Sequence, residues 1–427
     1  MNTVSGTLRK RLARARELAD ANRAHRPPSS GVDAPEERSA ETDACSRVTA
    51  GAAFSDMKRT EASGRLSGWR EIAPFVSFRS VLRDNPLPDL LDLRPYMGKA
   101  ARDSFGCETD LGAFPVERLL FFDLETTGLS GGSGTIAFLA AFGRALPGPG
   151  PTRLEIKQYF LADYPGEGDF LDALIAETDP GIILSSYNGR AFDEPLLKMR
   201  CVMNRRVWPS LRHVDFLHAA RRLWRGRFPD CGLGTLESRL FGRVRTLDVP
   251  GATIPDIWLD YARTGSHPLM EAVLEHNEVD IESLAAIAAE CSRIHSDPVE
   301  AEGCDLASLG RLWLTLDADV GVATLERSFS EGDERAGWTL LKRYRRVGAT
   351  ADYERILAGL SPSWDSCVER AKHAEHRVRD VAAAQEAACR ALDFAVTEDL
   401  RNALSRRLAR LERKAKRLAE DRRAPPR

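Results

Sequence analysis

Two carboxylates one residue apart are the first feature of this sequence that could do chemistry. Asp123 and Glu125 lie at the end of the apolar run "RLLFFDLE" (118–125), which is typical of a buried strand. Alternate strand residues project to the same face, so both carboxylates point to one side. Two like charges raise each other's pKa unless a positive group neutralises them. The pair therefore predicts a site for a hard divalent cation such as Mg²⁺ or Mn²⁺. The alternative is that one carboxylate caps the turn "TTGLSGG" that follows.

A third carboxylate follows another apolar run. Asn188 ends the predicted buried strand "GIILSSYN" (181–188), and Asp193 begins the predicted helix "DEPLLKMRCVMNR" (193–205). Asp193 is a candidate ligand for the same cation site. Its alternative role is that of a helix N-cap, which is a common use of aspartate.

A fourth carboxylate and a histidine lie on a long predicted helix, 269–294. His276 and Asp280 are four residues apart and share one helix face. Val273 and Ile281 mark the core side of this helix, and Asp280 lies beside them. A carboxylate so near the core is costly without a partner. The alternative for His276 is an ordinary surface histidine.

Three polar residues near these carboxylates are candidates for binding nucleic acid. Thr126 and Thr127 follow Glu125 and lead into a glycine-rich turn, which lets a backbone approach closely. Asn188 could hydrogen-bond a nucleotide or a ligand carboxylate. For the threonines, the alternative is that they only shape the hairpin turn.

The segments around these residues alternate between strand and helix patterns. Three strands joined by short turns, followed by β-α-β units, predict an α/β fold with a mixed sheet flanked by helices. The predicted strands are 118–125, 135–146, 153–162 and 181–188, and the predicted helices are 169–179, 193–205, 212–224 (extended at its start) and 269–294.

The rest of the chain suggests four regions. Residues 1–65 have the composition of a disordered tail, with a short basic helix at 7–20. Residues 66–110 form a lead-in segment expected to pack on the core domain, which spans 111–297. Residues 305–427 show no strand pattern and predict an all-α, helical-repeat-like region.

Composition excludes several classes of protein. The 427 residues carry a formal net charge of −2, so the chain as a whole is not a polycation that coats nucleic acid. Eight scattered cysteines favour reduced thiols and a cytoplasmic location. We find no apolar run of about 18 residues, and so expect no membrane partner.

The last predicted helix is rich in arginine and lysine, which fits either a phosphate-facing surface or a solvated one.

Taken together, three motifs resemble those of a known family. "FFDLETTGLSGGSGTIAFLAAFG", "YNGRAFDEPLL" and "EHNEVDIESL" resemble the exonuclease motifs of the DnaQ-like, DEDD nucleases, which have the ribonuclease H-like fold. The resemblance is strongest to the YprB-type branch and covers about residues 110–295. The segment "HAEHRVRDVAAAQEAACRAL" is similar to the tetratricopeptide-like extension of that branch.

This resemblance implies a function and a role for each residue. It implies a metal-dependent 3′–5′ exonuclease acting on DNA or RNA, with a possible protein partner on the C-terminal helices. Two Mg²⁺ or Mn²⁺ ions would be held by the metal ligands Asp123, Glu125, Asp193 and Asp280, and His276 takes the position of the general base. The histidine departs from the family pattern, because it lies four residues before Asp280 rather than five. Two alternatives are a non-catalytic nucleic-acid-binding adaptor and a nuclease that cuts internally.

Overall fold

The computed structural model describes residues 66, 68–84, 87–92, 114–128, 134–146, 152–245 and 249–423. The predicted tail at 1–65, with its helix at 7–20, lies outside the described residues. Within the described residues, the fold is a mixed sheet flanked by helices, followed by an all-helical C-terminal region. This arrangement confirms the predicted fold class.

Seven strands form the main sheet among the described residues, in the order β1-β2-β7-β6-β5-β8-β9. The strands β5, β8 and β9 run parallel, whereas β6, β7, β2 and β1 each pair antiparallel with their neighbours. A separate short pair joins β3 to β4. The strands are β1 (Arg70–Ala73), β2 (Val76–Asp84), β3 (Leu90–Leu91), β4 (Phe114–Pro115), β5 (Leu119–Thr126), β6 (Ala137–Leu146), β7 (Arg153–Leu161), β8 (Ile183–Ser186) and β9 (Arg212–Asp215).

The lead-in segment contributes to the sheet itself. Strand β2 pairs along its whole length with β7, from Val76 opposite Leu161 to Asp84 opposite Arg153. Strand β1 then forms the outer edge. The sheet therefore extends two strands beyond the hairpins predicted from the sequence.

Helices cover both faces of the sheet and continue to the C-terminus. Two lie between strands in the chain, α1 (Glu167–Ala176) and α2 (Asp193–Met203), and four follow the last strand, α3 (Phe216–Trp224), α4 (Leu233–Phe241), α5 (Ile254–Thr264) and α6 (Met270–Ser296). Those that follow are α7 (Leu306–Trp313), α8 (Ala318–Ser330), α9 (Glu334–Val347), α10 (Thr350–Gly359), α11 (Trp364–His373), α12 (Val381–Leu392) and α13 (Glu398–Arg423). No helix in the part of the chain that the structure describes is both long and apolar enough to cross a membrane.

Strand β5 lies inside the sheet, and both of its faces pack against apolar residues. Leu120 and Phe122 face one core cluster, whereas Leu119 and Phe121 face another that includes Ile281 of α6. Asp123 and Glu125 have the same parity as Phe121, so they continue the face that lies against α6. The two acidic residues therefore point towards the helix that carries His276 and Asp280.

Close contact between the sheet and α6 depends on a glycine in β6. A Cβ atom added at Gly143 would lie 2.4 Å from Cγ2 of Ile281, which is far closer than atoms in proteins pack. Only a residue without a side chain allows α6 to approach at this point. This packing sets the distance between β5 and the polar face of α6.

Candidate active site

Among the described residues, one cluster of possible metal-ligand atoms joins β5 to α6. Nε2 of His276 lies 3.7 Å from Oε1 of Glu125 and 3.6 Å from Oδ2 of Asp280. The three side chains are each only about 14–16% exposed, and each offers an oxygen or nitrogen within 4.8 Å of the others. Carboxylate oxygens suit Mg²⁺ or Mn²⁺, whereas an imidazole nitrogen is a better ligand for Zn²⁺ or Fe²⁺. These residues could therefore hold a divalent cation.

The carboxylate of Asp123 interacts electrostatically with the two carboxylates of this cluster. Burial, followed by the carboxylates of Asp280, Glu125 and Asp193, raises the pKa of Asp123 well above its usual range. A hydrogen bond from Asn277 Nδ2 to Asp123 Oδ2, 2.8 Å long, lowers it in part. The four carboxylates predicted from the sequence thus interact electrostatically around Asp123. Such crowding of negative charge is what a bound cation would relieve.

Asp193 is the first residue of α2, after Phe192 at the N-cap position. Its carboxylate folds back over the preceding turn: a Cβ atom added at Gly189 would lie 2.7 Å from Asp193 Oδ2. Burial and the neighbouring Asp215 raise the pKa of Asp193 to about 7. Asp193 is therefore the first helical residue rather than the N-cap, and its role as a metal ligand stays a prediction.

Asp215 holds the turn that carries Asn188. Its carboxylate accepts hydrogen bonds from the backbone N–H of Asn188 (2.8 Å) and of Arg190 (3.3 Å), and also from that of Leu217 at the start of α3 (3.0 Å). Asn188 has a left-handed φ of +69°, a conformation that asparagine tolerates better than most residues. Asp215 thus caps α3 and fixes the 188–190 turn at the same time.

The two threonines that follow Glu125 make local contacts. Thr126 Oγ1 donates to the carbonyl of Gly128 (3.0 Å), and Thr127 Oγ1 accepts from the backbone N–H of Ile136 (3.0 Å). These bonds join the end of β5 to the segment before β6. They fit the turn-shaping alternative, and a role for either hydroxyl in binding nucleic acid stays a prediction.

Arg245 is a functional candidate that the sequence reasoning missed. Its guanidinium bonds to Asp280 Oδ1 and to both carboxylate oxygens of Glu237, and Nη1 lies 3.1 Å from Nδ1 of His276. Glu237 is 1% exposed. Because arginine only donates, Nδ1 of His276 must accept, so a neutral His276 carries its proton on Nε2. Arg245 thus sets the tautomer of the predicted base.

Asn277 is a second residue that the sequence reasoning missed, and it connects Asp123 to β2. Its Oδ1 accepts from Gln158 Nε2 at 3.1 Å, and Gln158 Oε1 accepts from Arg79 Nη2 at 2.6 Å. Arg79 also pairs with Glu278. Gln158 and Asn277 are both fully buried. A continuous chain of hydrogen bonds therefore links Arg79 of β2 to Asp123, a predicted metal ligand.

Comparison with known proteins identifies the family. A family model described as the RNase_H superfamily matches residues 120–292. The uncharacterized protein YprB of Bacillus subtilis (strain 168) is 30% identical over 313 residues, which cover 69% of this chain and 75% of YprB. The chain belongs to the ribonuclease H superfamily. The matched span contains α2 and nearly all of β5 and α6, the elements that carry the acidic cluster. Membership in the ribonuclease H superfamily indicates a nuclease-type function that acts on nucleic acid.

In this ribonuclease H superfamily protein, we expect Asn277 to orient Asp123. Replacing Asn277 with leucine should weaken Mn²⁺ binding by about 10- to 100-fold, the usual cost of losing a residue that orients a metal ligand. Calorimetric titration with Mn²⁺ measures the effect. Glu275→Gln, an exposed change on the same helix, is the matched control. Equal Mn²⁺ affinity in Asn277→Leu and the control would show that the bond to Asp123 plays no such role.

Proposed function

We propose that this protein is a divalent-metal-dependent nuclease that hydrolyses phosphodiester bonds of DNA or RNA, removing nucleotides from a 3′ end. The observation that carries the proposal is that four carboxylates from three separate elements interact around Asp123, whose pKa is raised first by burial and then by the other three carboxylates. Among the described residues, Arg245 pairs with Asp280. A divalent cation would add positive charge at the other carboxylates.

In this proposal, Asp123, Glu125, Asp193 and Asp280 hold two Mg²⁺ or Mn²⁺ ions. When bound, such ions make a water molecule more acidic and stabilise the oxygen that leaves phosphorus. Asn277 keeps Asp123 in one orientation through its 2.8 Å hydrogen bond. Asp215 fixes the turn before Asp193, so that Asn188 lies where a nucleotide can reach it.

His276 is the proposed general base, and Arg245 controls whether it can act. Proton transfer from water to Nε2 requires a lone pair on that nitrogen, and a neutral imidazole has only one. While Arg245 donates to Nδ1, the proton lies on Nε2. We infer that His276 accepts a proton only after Arg245 leaves Nδ1. A cation that neutralises Asp280 would favour this, because it would replace the charge that Arg245 supplies.

The contact between Arg245 and the site also favours a second candidate function. With Asp280 and His276 both engaged by Arg245, the protein could bind nucleic acid as an adaptor without cleaving it. In that case alanine at Asp193 and Asp280 would leave the cellular phenotype unchanged. In the nuclease proposal, either change would reproduce the phenotype of a deletion.

A substrate panel tests the nuclease proposal directly. Purified protein is incubated with linear and circular strands of DNA and of RNA, with Mg²⁺ and with Mn²⁺. The proposal predicts stepwise shortening of linear strands from the 3′ end, and no opening of circles. Opening of circles would instead identify a nuclease that cuts internally. Absence of any cleavage by protein shown to bind Mn²⁺ would refute both forms of the proposal.

We further propose a cytoplasmic location and a protein partner for the helical region. The six cysteines within the described residues are free thiols, which fits a reducing compartment. Helices α7–α13 enclose three small apolar clusters of their own, so they can present a surface independently of the sheet. Helical regions of this kind commonly carry binding surfaces.

A further inference from the structure

The last described helix, α13, has one face that is fixed in the fold. Leu404 and Leu411 are buried, and they pack on residues of α11 and α12. Arg407 and Arg410 both bond to Glu375, which is only 4% exposed. These contacts determine how the helix is rotated about its axis. The residues on its opposite side are therefore held towards solvent.

The side opposite Leu404 and Leu411 is a stripe of arginines, formed by Arg406, Arg410, Arg413 and Arg417, of which Arg410 also reaches Glu375. The four are exposed and spaced i, i+4, i+7 and i+11, so they share one helix face. The positions that flank this face within residues 406–417 are Arg407, Ala409, Lys414 and Lys416, so no acidic residue of α13 interrupts it there, and Glu375 reaches the stripe only at Arg410. At the rise of an α-helix, the stripe is about 16 Å long.

This arrangement has an energetic cost that a partner would remove. Like charges three or four residues apart destabilise a helix by a few tenths of a kcal/mol per pair. Residues 398–423 contain ten basic and five acidic residues, although the whole chain has a net charge of −2. Positive charge is thus concentrated on α13. A polyanion lying along the stripe would turn the repulsion into attraction.

We propose that the arginine stripe of α13 binds the phosphate backbone of a single nucleic-acid strand. The choice of nucleic acid as the polyanion rests on the proposed nuclease function. The residue type supports it, because the guanidinium group matches phosphate geometry with two parallel hydrogen bonds, whereas lysine acts as a point charge. The linear arrangement also fits a chain of phosphates better than a single anion. The stripe would hold the strand outside the proposed catalytic centre.

The test compares strand binding by two triple variants of the full chain. Arg406→Glu/Arg413→Glu/Arg417→Glu changes the stripe and spares Arg410, which bonds to Glu375. Arg153→Glu/Lys342→Glu/Arg346→Glu makes the same change of net charge at exposed positions elsewhere. Binding of a fluorescent 30-nucleotide strand is measured by anisotropy in EDTA, which prevents cleavage, over a range of NaCl concentrations. A third variant with glutamine at the stripe positions, and thermal unfolding of all proteins, control for folding.

We expect the stripe variant to bind about 10-fold or more weakly at 100 mM NaCl, and the control less than about 3-fold more weakly. The slope of log affinity against log salt should fall by about 2 in the stripe variant, since each single-strand phosphate contact contributes about 0.7. Equal loss in both variants, or an unchanged slope, would overturn the inference. So would stripe-dependent binding to anionic phospholipid vesicles without binding to the strand.

Cleavage of a trinucleotide separates this inference from the proposed function. A trinucleotide is too short to reach beyond the catalytic centre, so wild type and stripe variant should cleave it equally. If neither protein cleaves any substrate but strand binding depends on the stripe, the nuclease proposal fails and the inference stands. If cleavage occurs and strand binding does not depend on the stripe, the inference fails alone.

Discussion

Replacing Asp123 with asparagine should reduce metal-dependent cleavage by about 1000-fold or more, a loss of about 4 kcal/mol of transition-state stabilisation. The same change should stabilise the metal-free protein by about 1 kcal/mol. Both effects have the same origin: the carboxyl group is buried and lies near those of Asp280, Glu125 and Asp193, and burial and then these carboxylates raise its pKa. Asparagine removes one negative charge from this group of four carboxylates. It also removes an oxygen ligand that the proposed cations require.

The two effects are measured by cleavage of a labelled strand with Mn²⁺ and by urea unfolding at pH 8 in EDTA. Asp256→Asn, an exposed change on α5, is the control and should alter neither. A variant that kept activity would show that Asp123 is not a ligand. A variant that lost both activity and stability would indicate that the carboxylate instead supports the fold.

Replacing Arg245 with methionine should destabilise the metal-free protein by about 3 kcal/mol, since it leaves a buried acid without its partner. That acid is Glu237, whose side chain is 2% exposed and bonds to Arg245 through both oxygens. Asp280 would lose a positive neighbour as well. Urea unfolding in EDTA measures the loss.

A double-mutant cycle shows whether loss of the Arg245–Glu237 ion pair causes this destabilisation. Glu237→Leu combined with Arg245→Met should recover most of the stability, because an apolar pair of similar volume often replaces a buried ion pair at little cost. If the double variant were instead as unstable as the sum of the two single variants, the Arg245–Glu237 pair would not be the source of the effect.

The sheet and the long helix could be predicted from the sequence because their patterns are local. The apolar run before Asp123 and the segment 181–188 both read as buried strands, and they are β5 and β8. The spacing of Val273, Ile281 and Leu284 predicted the buried side of α6. These signals depend only on which neighbours along the chain are apolar. The antiparallel pairing of β5, β6 and β7 follows from the short connections between them.

Arg245, Gln158 and Asn277 could not be found in this way, because their roles depend on contacts across the fold. Gln158 and Asn277 are 119 residues apart in the chain. A glutamine within a strand pattern reads as a solvent-facing position, yet this one is fully buried. Strand β2 was missed because Arg79 and Arg83 interrupt its apolar pattern. They point to Glu278 of α6, a partner that sequence alone does not reveal.

The central claim is that Asp123, Glu125, Asp193 and Asp280 form one cation site, and Mn²⁺ binding tests it most directly. Calorimetric titration of the wild type should show two Mn²⁺ ions bound per chain, and asparagine or glutamine at any one of the four positions should weaken this binding at least about 10-fold. Absence of Mn²⁺ binding by the wild type, or unchanged affinity when Asp193 or Asp280 is replaced, would contradict a shared site.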